Sequence, residues 1–204
     1  AELSQDIETA LKEYHAALKI DPKSREVQSR LAALYFALGD FPQAVQYAEE
    51  VGQGTGQEPQ VLTQMAGILA SAGKPERALV LLDKAIDGAP ERGESYFPKG
   101  LILLNQKRIT EAEQAVKKGL QYSSDSPIGH YYLGRISLEA GNTEQAVAYF
   151  DRAITVNPAF EPAYLAQASV FESRHEKGNA IAVLKRYLEQ VNPRNRDIRQ
   201  HLVQ

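Results

Sequence analysis

Residues 127–160 read PIGHYYLGRISLEAGNTEQAVAYFDRAITVNPAF, and this stretch decides the fold. Its apolar residues recur at steps of three and four in two blocks: Leu133, Ile136 and Leu138, then Ala146, Val147, Phe150 and Ile154. Such spacing predicts two helices of about 13 residues each. Between the blocks, Gly141 is a residue type that ends helices, and Asn142 is a good N-cap residue. Pro158 ends the second helix because its nitrogen has no hydrogen to donate. The stretch therefore predicts two helices joined by a sharp turn.

The same pattern returns at a constant step of 34 along the chain. One series at this step is alanine throughout: Ala10, Ala44, Ala78, Ala112, Ala146 and Ala180. A second series is small throughout: Ala32, Ala66, Gly100, Gly134 and Ala168. Small residues at both phases allow the two helices of a pair to approach closely. Since no segment alternates as a strand would, the sequence predicts an all-α fold of repeated antiparallel helix pairs.

The period divides the chain into repeats within a single predicted domain over residues 1–204. The full repeats are 25–58, 59–92, 93–126, 127–160 and 161–194. Residues 1–24 form a partial repeat, which we expect to hold the last turn of a first helix and a complete second helix. Residues 195–204 begin a further first helix or a capping helix. Because an exposed repeat face needs a cap, we expect the chain to be a piece of a longer protein.

One first helix is expected to start late. Pro98 would clash in the interior of a helix, but it is tolerated in the first turn, where backbone donors lack partners anyway. We therefore predict that the first helix of repeat 93–126 starts near Ser95.

The repeats resemble a known family. Leu133, Gly134, Gly141, Ala146, Phe150, Ala153 and Pro158 match the pattern of the tetratricopeptide repeat. The resemblance implies a right-handed superhelical solenoid whose first helices line a concave groove that takes a peptide or a partner's helix. The best-known version of this groove holds a C-terminal carboxylate with Lys and Asn residues. At the corresponding places in this chain Arg135 is the only basic residue, so that clamp is not expected.

A set of large side chains on the first helices is the candidate partner-binding groove. Its members are Phe97, Leu101, Leu104, Tyr131, Tyr132, Arg135, Leu138 and Leu165. Tyr and Arg are enriched at binding surfaces because they combine a large contact area with polar groups. Packing between neighbouring repeats is the alternative explanation for the same residues.

Composition excludes several function classes. The chain has no cysteine, which removes disulfides, thiolate metal sites and cysteine nucleophiles. A net charge of −3 disfavours nucleic-acid binding. No apolar run approaches the roughly 20 residues of a membrane span. The histidines lack metal-binding spacing, and no nucleophile motif or phosphate-binding loop is present. We therefore expect no catalytic, cofactor or metal site, while the compartment, cytoplasm or periplasm, stays open.

These observations favour a non-catalytic scaffold that binds a protein or peptide ligand in its groove. The alternative is a structural assembly module that acts through self-association, so a homo-oligomer is possible.

Overall fold

A computed structural model of the chain describes residues 2–54 and 56–202. These residues form twelve α-helices and one short 3-10 turn, without a strand, which confirms the all-α prediction. The chain divides into two compact units, residues 1–98 and 99–204, and the boundary falls inside one helix. The single domain over 1–204 stays a prediction. No helix among the described residues has the length and apolar character needed to cross a bilayer.

The first unit is built from stacked helix pairs. Its helices are α1 (Glu2–Ile20), α2 (Arg25–Ala37), α3 (Phe41–Gln53), α4 (Pro59–Ser71) and α5 (Pro75–Gly88), followed by the 3-10 turn (Gly93–Ser95) and the start of α6 (Tyr96–Asn105). Helix α2 packs against α3, and α4 packs against α5. Contacts between α3 and α4 join the two pairs. Fully buried side chains such as Leu31, Met65 and Leu82 form the core between them.

The second unit repeats this arrangement. After the end of α6 come α7 (Ile109–Tyr122), α8 (Pro127–Glu139), α9 (Thr143–Val156), α10 (Glu161–Ser173), α11 (Lys177–Gln190) and α12 (Arg196–His201). Helix α8 pairs with α9, α10 pairs with α11, and α9 contacts α10. Phe150, Tyr164 and Leu184 lie in one buried cluster that spans these helices.

Five turns within the repeats share one backbone geometry. In the turn after α8, the Gly141 N–H donates to the Leu138 carbonyl (2.9 Å) and the Asn142 N–H donates to the Ser137 carbonyl (2.8 Å). This pair of bonds defines a Schellman motif, which needs a left-handed residue. The residues with positive φ at this phase are Gly39, Gly73, Lys107, Gly141 and His175. Asn142 precedes α9 as expected, but its side chain makes no capping hydrogen bond.

Close helix contacts explain the two series of small residues. A Cβ atom on Gly134 would lie 2.4 Å from Phe150 Cε1, and one on Gly100 would lie 2.3 Å from Val116 Cγ2. In the full repeats, the alanines of the first series are at most 2% exposed: Ala44, Ala78, Ala112, Ala146 and Ala180. The predicted close approach of the paired helices is confirmed.

Polar side chains tie four of the five full repeats to the residues before them. Four residues at one phase each bond to the backbone carbonyl six residues earlier: Gln28 to Pro22, Tyr96 to Pro90, His130 to Ser124 and Tyr164 to Pro158. Their distances lie between 2.9 and 3.2 Å. Each bond fixes the start of a first helix against the end of the preceding second helix.

Two predictions about helix ends have opposite outcomes. The late start of the first helix in repeat 93–126 is confirmed, since α6 begins at Tyr96 and Pro98 falls in its first turn. The break expected within residues 1–24 is wrong, because α1 is one uninterrupted helix over Glu2–Ile20. Gln5 lies at the turn phase of this partial repeat, and its backbone is helical.

Candidate functional site

The first helices of the second unit carry side chains at equivalent positions of one helical face. Tyr131, Arg135 and Leu138 follow each other at steps of four and three, so they share one face of α8. Leu101 stands in the place of Arg135 one repeat earlier, and Leu165 stands in the place of Tyr131 one repeat later. They therefore occupy the same phases on α6 and α10. We call these five residues the first-helix strip.

Tyr131 joins the strip to the core. Its ring centroid lies 5.7 Å from that of Phe150 and 5.6 Å from that of Phe160, and the Tyr132 ring is 5.8 Å away. Tyr131 is half-buried, so part of its ring stays exposed. Such aromatic clusters hold a ring in one orientation, which lowers the entropy lost when it contacts a ligand.

Arg135 is a half-buried cation without a partner in the described part of the chain. Tyr132 does not supply a counter-charge. Burial raises the pKa of the Tyr132 hydroxyl, and the smaller opposing influence of Arg135 does not reverse this. The phenol is therefore neutral at neutral pH. The guanidinium keeps its donors free for an acceptor that lies outside these residues.

Two apolar side chains on the strip's helical face are exposed. Leu165 is 39% exposed and Ile128 is 38% exposed. Ile128 was not among the predicted residues, although it precedes Tyr131 by three and so shares its face. Phe160 was also missed, because it lies in a link where helical periodicity gives no signal.

Two predicted groove residues belong to the core instead. Phe97 is 4% exposed and Leu104 is 3% exposed, so their predicted place on an open groove is wrong. Helical phase fixes the direction of a side chain but not what covers it. Leu138 and Tyr132 are half-buried, and Leu138 packs against the core cluster of the second unit. Phe97 falls within the first unit, and the other members of the predicted groove fall within the second.

The site offers contacts for a ligand rather than catalytic groups. Among the described side chains, no group of three or more His, Asp or Glu residues could hold a metal ion. The strip itself contains one cation, one phenol and three aliphatic side chains. These groups can bind apolar and anionic surfaces, and the absence of an enzyme activity stays a prediction.

Comparisons with known proteins identify the repeat. One family model described as tetratricopeptide repeat matches residues 3–68 and 103–170, and a second of the same description matches residues 64–127. Cellulose synthase operon protein C of Xanthomonas axonopodis pv. citri (strain 306) is 28% identical over 172 residues, which cover 78% of this chain and 11% of that protein. The chain spans between 11% and 27% of the length of the curated relatives it matches.

Solved structures show the same fold. PilW, a widely conserved type IV pilus biogenesis factor, has a TM-score of 0.80 at 20% identity, covering 98% of this chain and 93% of PilW. YrrB, described as a TPR protein with an unusual peptide-binding site, has a TM-score of 0.67 at 20% identity, covering 81% of this chain and 86% of YrrB. At these identities the likeness concerns the fold alone.

Proposed function

This chain belongs to the tetratricopeptide repeat family, and we propose that it is a non-catalytic scaffold that binds a segment of a partner protein on the first-helix strip. A role as a protein-interaction scaffold agrees with the family. The peptide-binding site of YrrB supports a peptide ligand for a chain of this fold. The strip is the surface we assign to that role.

Arg135 carries the proposal. An unpaired, half-buried guanidinium gives up part of its hydration without a compensating bond inside the described chain. A carboxylate supplied by a ligand would form a charge-assisted and potentially bidentate pair with it. The arginine therefore selects for a ligand that brings an anion.

The neighbouring side chains define the rest of the ligand. Leu165 and Ile128 are exposed aliphatic groups, and the accessible part of Tyr131 adds a fixed aromatic surface. Apolar side chains of a partner that pack on these anchors exclude water from the ion pair, and binding is then strongest. The expected ligand is an extended or helical segment with apolar residues on either side of an Asp or Glu.

A peptide display selection tests this assignment. Random peptides are selected on the purified chain, and the enriched peptides are titrated against single-site variants. We expect the Arg135→Ala variant to bind about 30-fold more weakly, since losing an arginine anchor costs about 2 kcal/mol. Leu165→Asp is expected to abolish binding, because it puts a charge into an apolar contact.

Matched variants on the second helices serve as controls. Ile181 on α11 is 41% exposed, close to the value for Leu165, and Arg152 on α9 is an arginine that is exposed rather than half-buried. Ile181→Asp and Arg152→Ala are expected to leave peptide affinity unchanged. If these controls lose affinity while Arg135→Ala and Leu165→Asp keep it, the binding surface lies on the second helices and the proposal is wrong.

A further inference from the structure

Gly52 on α3 interrupts a series of large aliphatic residues that recurs at the repeat period. The other members of the series are Leu18, Ile86, Leu120, Ile154 and Leu188. All five side chains are buried or half-buried, so this phase of the helix faces inward. At Gly52 the aliphatic side chain is missing, and a pocket of about 330 Å³ lies beside this residue.

The pocket lies between α3 and α5 within the first unit, and its wall is apolar. Leu69 and Leu81 line it and are almost fully buried, whereas Val80 is 54% exposed, so the pocket opens to solvent beside Val80. Leu81 takes up part of the room of the missing side chain, since a Cβ on Gly52 would lie 2.5 Å from Leu81 Cδ2. The room that remains is accessible to an aliphatic group from outside.

Two cations lie along the same face of α5. Arg77 and Lys84 stand three residues before and four residues after Val80, and both line the pocket. Arg77 already has a counter-charge, the carboxylate of Glu49 on α3. The exposed Lys84 donates to the Gly52 carbonyl (2.7 Å), and an ammonium has two further N–H donors. The pocket therefore combines an apolar wall with one cation that can bind an anion.

We propose that this pocket binds an amphipathic helix of a partner protein, with a Leu or Ile inserted beside Gly52 and an Asp or Glu one turn away that pairs with Lys84. The aliphatic series shows which side chain the position accepts, because every other member is Leu or Ile. The spacing favours a helix, since Val80 and Lys84 are four residues apart, a separation that two residues on a partner helix reproduce. A ligand confined to the pocket would leave Val80 uncovered, whereas a helix along α5 covers it. This surface is separate from the first-helix strip, and neither assignment depends on the other.

A display selection with a depletion step tests the proposal on the full chain. The library holds short helical peptides in which a Leu and a Glu are fixed four positions apart and the other positions vary. It is depleted on the chain with Val80→Asp and Lys84→Glu, which removes peptides that bind other surfaces, and is then selected on the unaltered chain. Both residues are exposed, so the double variant should keep its fold, which circular dichroism checks. We expect this library to yield binders, and a parallel library with Lys in place of the fixed Glu to yield none.

Single variants locate the selected peptides. Val80→Asp is expected to weaken binding about tenfold or more, because it puts a charge into an apolar contact, and Lys84→Gln about threefold, because it removes an exposed ion pair. The matched changes Ile181→Asp and Lys185→Gln on α11 should leave affinity unchanged, as should Leu165→Asp on the first-helix strip.

Three results would overturn the proposal: no binders, equal yields from the two libraries, or binding that Leu165→Asp abolishes and Val80→Asp does not. The last result would place these peptides on the first-helix strip and leave the proposed function intact. Sedimentation that shows the chain alone associating through Val80 would also overturn the proposal, because the occupant would then be a second copy.

Discussion

Gly134→Ala adds one methyl group at a close helix contact of the second unit. The new Cβ would lie 2.4 Å from Phe150 Cε1, 2.6 Å from Cδ1 and 2.9 Å from Cζ. Carbon atoms in contact prefer separations of about 3.5–4.0 Å. The Phe150 ring is fully buried and has Tyr131 beside it at 5.7 Å, so it has little room to withdraw.

The expected net effect is a loss of stability. Overpacking a closely packed core costs about 1–3 kcal/mol. Replacing a helical glycine with alanine raises the free energy of unfolding by up to about 1 kcal/mol, because alanine loses less backbone entropy on folding. The difference predicts a free energy of unfolding that is lower by about 1 kcal/mol in the Gly134→Ala variant.

Gly67→Ala is the matched control, since it makes the same change in the middle of α4. A Cβ on Gly67 meets no heavy atom within 4 Å. No overpacking then opposes the entropic benefit of alanine, and the variant should be more stable by about 0.5–1 kcal/mol. Thermal and urea unfolding followed by circular dichroism should therefore show shifts of opposite sign, of about 2–4 °C per kcal/mol. Equal shifts, or a stabilised Gly134→Ala variant, would refute the close contact between α8 and α9.

Further changes test the turns and the bonds between repeats. His175→Gly should raise stability by about 1 kcal/mol in urea unfolding, because His175 has φ +61° and only glycine adopts this conformation without strain. Tyr164→Phe should lower stability by about 1 kcal/mol through loss of the bond to the Pro158 carbonyl. Burial lowers the pKa of His130 in the folded chain, so below pH 6.5 the unfolded chain binds more protons than the folded chain. The contribution of His130 to the free energy of unfolding is therefore full above pH 6.5 and declines as the pH falls below that value. His130→Tyr, which can keep the bond to Ser124, should reduce the stability difference between pH 5 and pH 8; an unchanged difference would contradict this cause.

The repeat architecture could be read from the sequence because a single period determines several features at once. The series through Ala146 and Gly134 predicted the close helix contacts, and Pro98 predicted the late start of α6. These features depend on local geometry and on residue size. Both are visible in a sequence.

The exposure of the predicted site could not be read in the same way. Phe97 and Tyr131 share a helical phase, yet Phe97 is buried and Tyr131 is half-buried. What covers a side chain depends on neighbouring helices, which the periodicity of one helix does not report. Helix α1 illustrates a related limit, since the repeat period predicts a turn within residues 1–24 and the backbone is a continuous helix over Glu2–Ile20.

Photo-crosslinking tests the central claim, ligand binding on the first-helix strip, most directly. A photoreactive phenylalanine derivative is placed at position 165 on α10 or at position 181 on α11, two exposed sites of closely similar accessibility (39% and 41%). A peptide selected on the unmodified chain is then added and irradiated. We predict that the peptide crosslinks to the chain with the probe at 165, that excess unlabelled peptide competes for this crosslink, and that position 181 gives none. Crosslinking at 181 without crosslinking at 165 would contradict the account and would move the binding surface to the second helices.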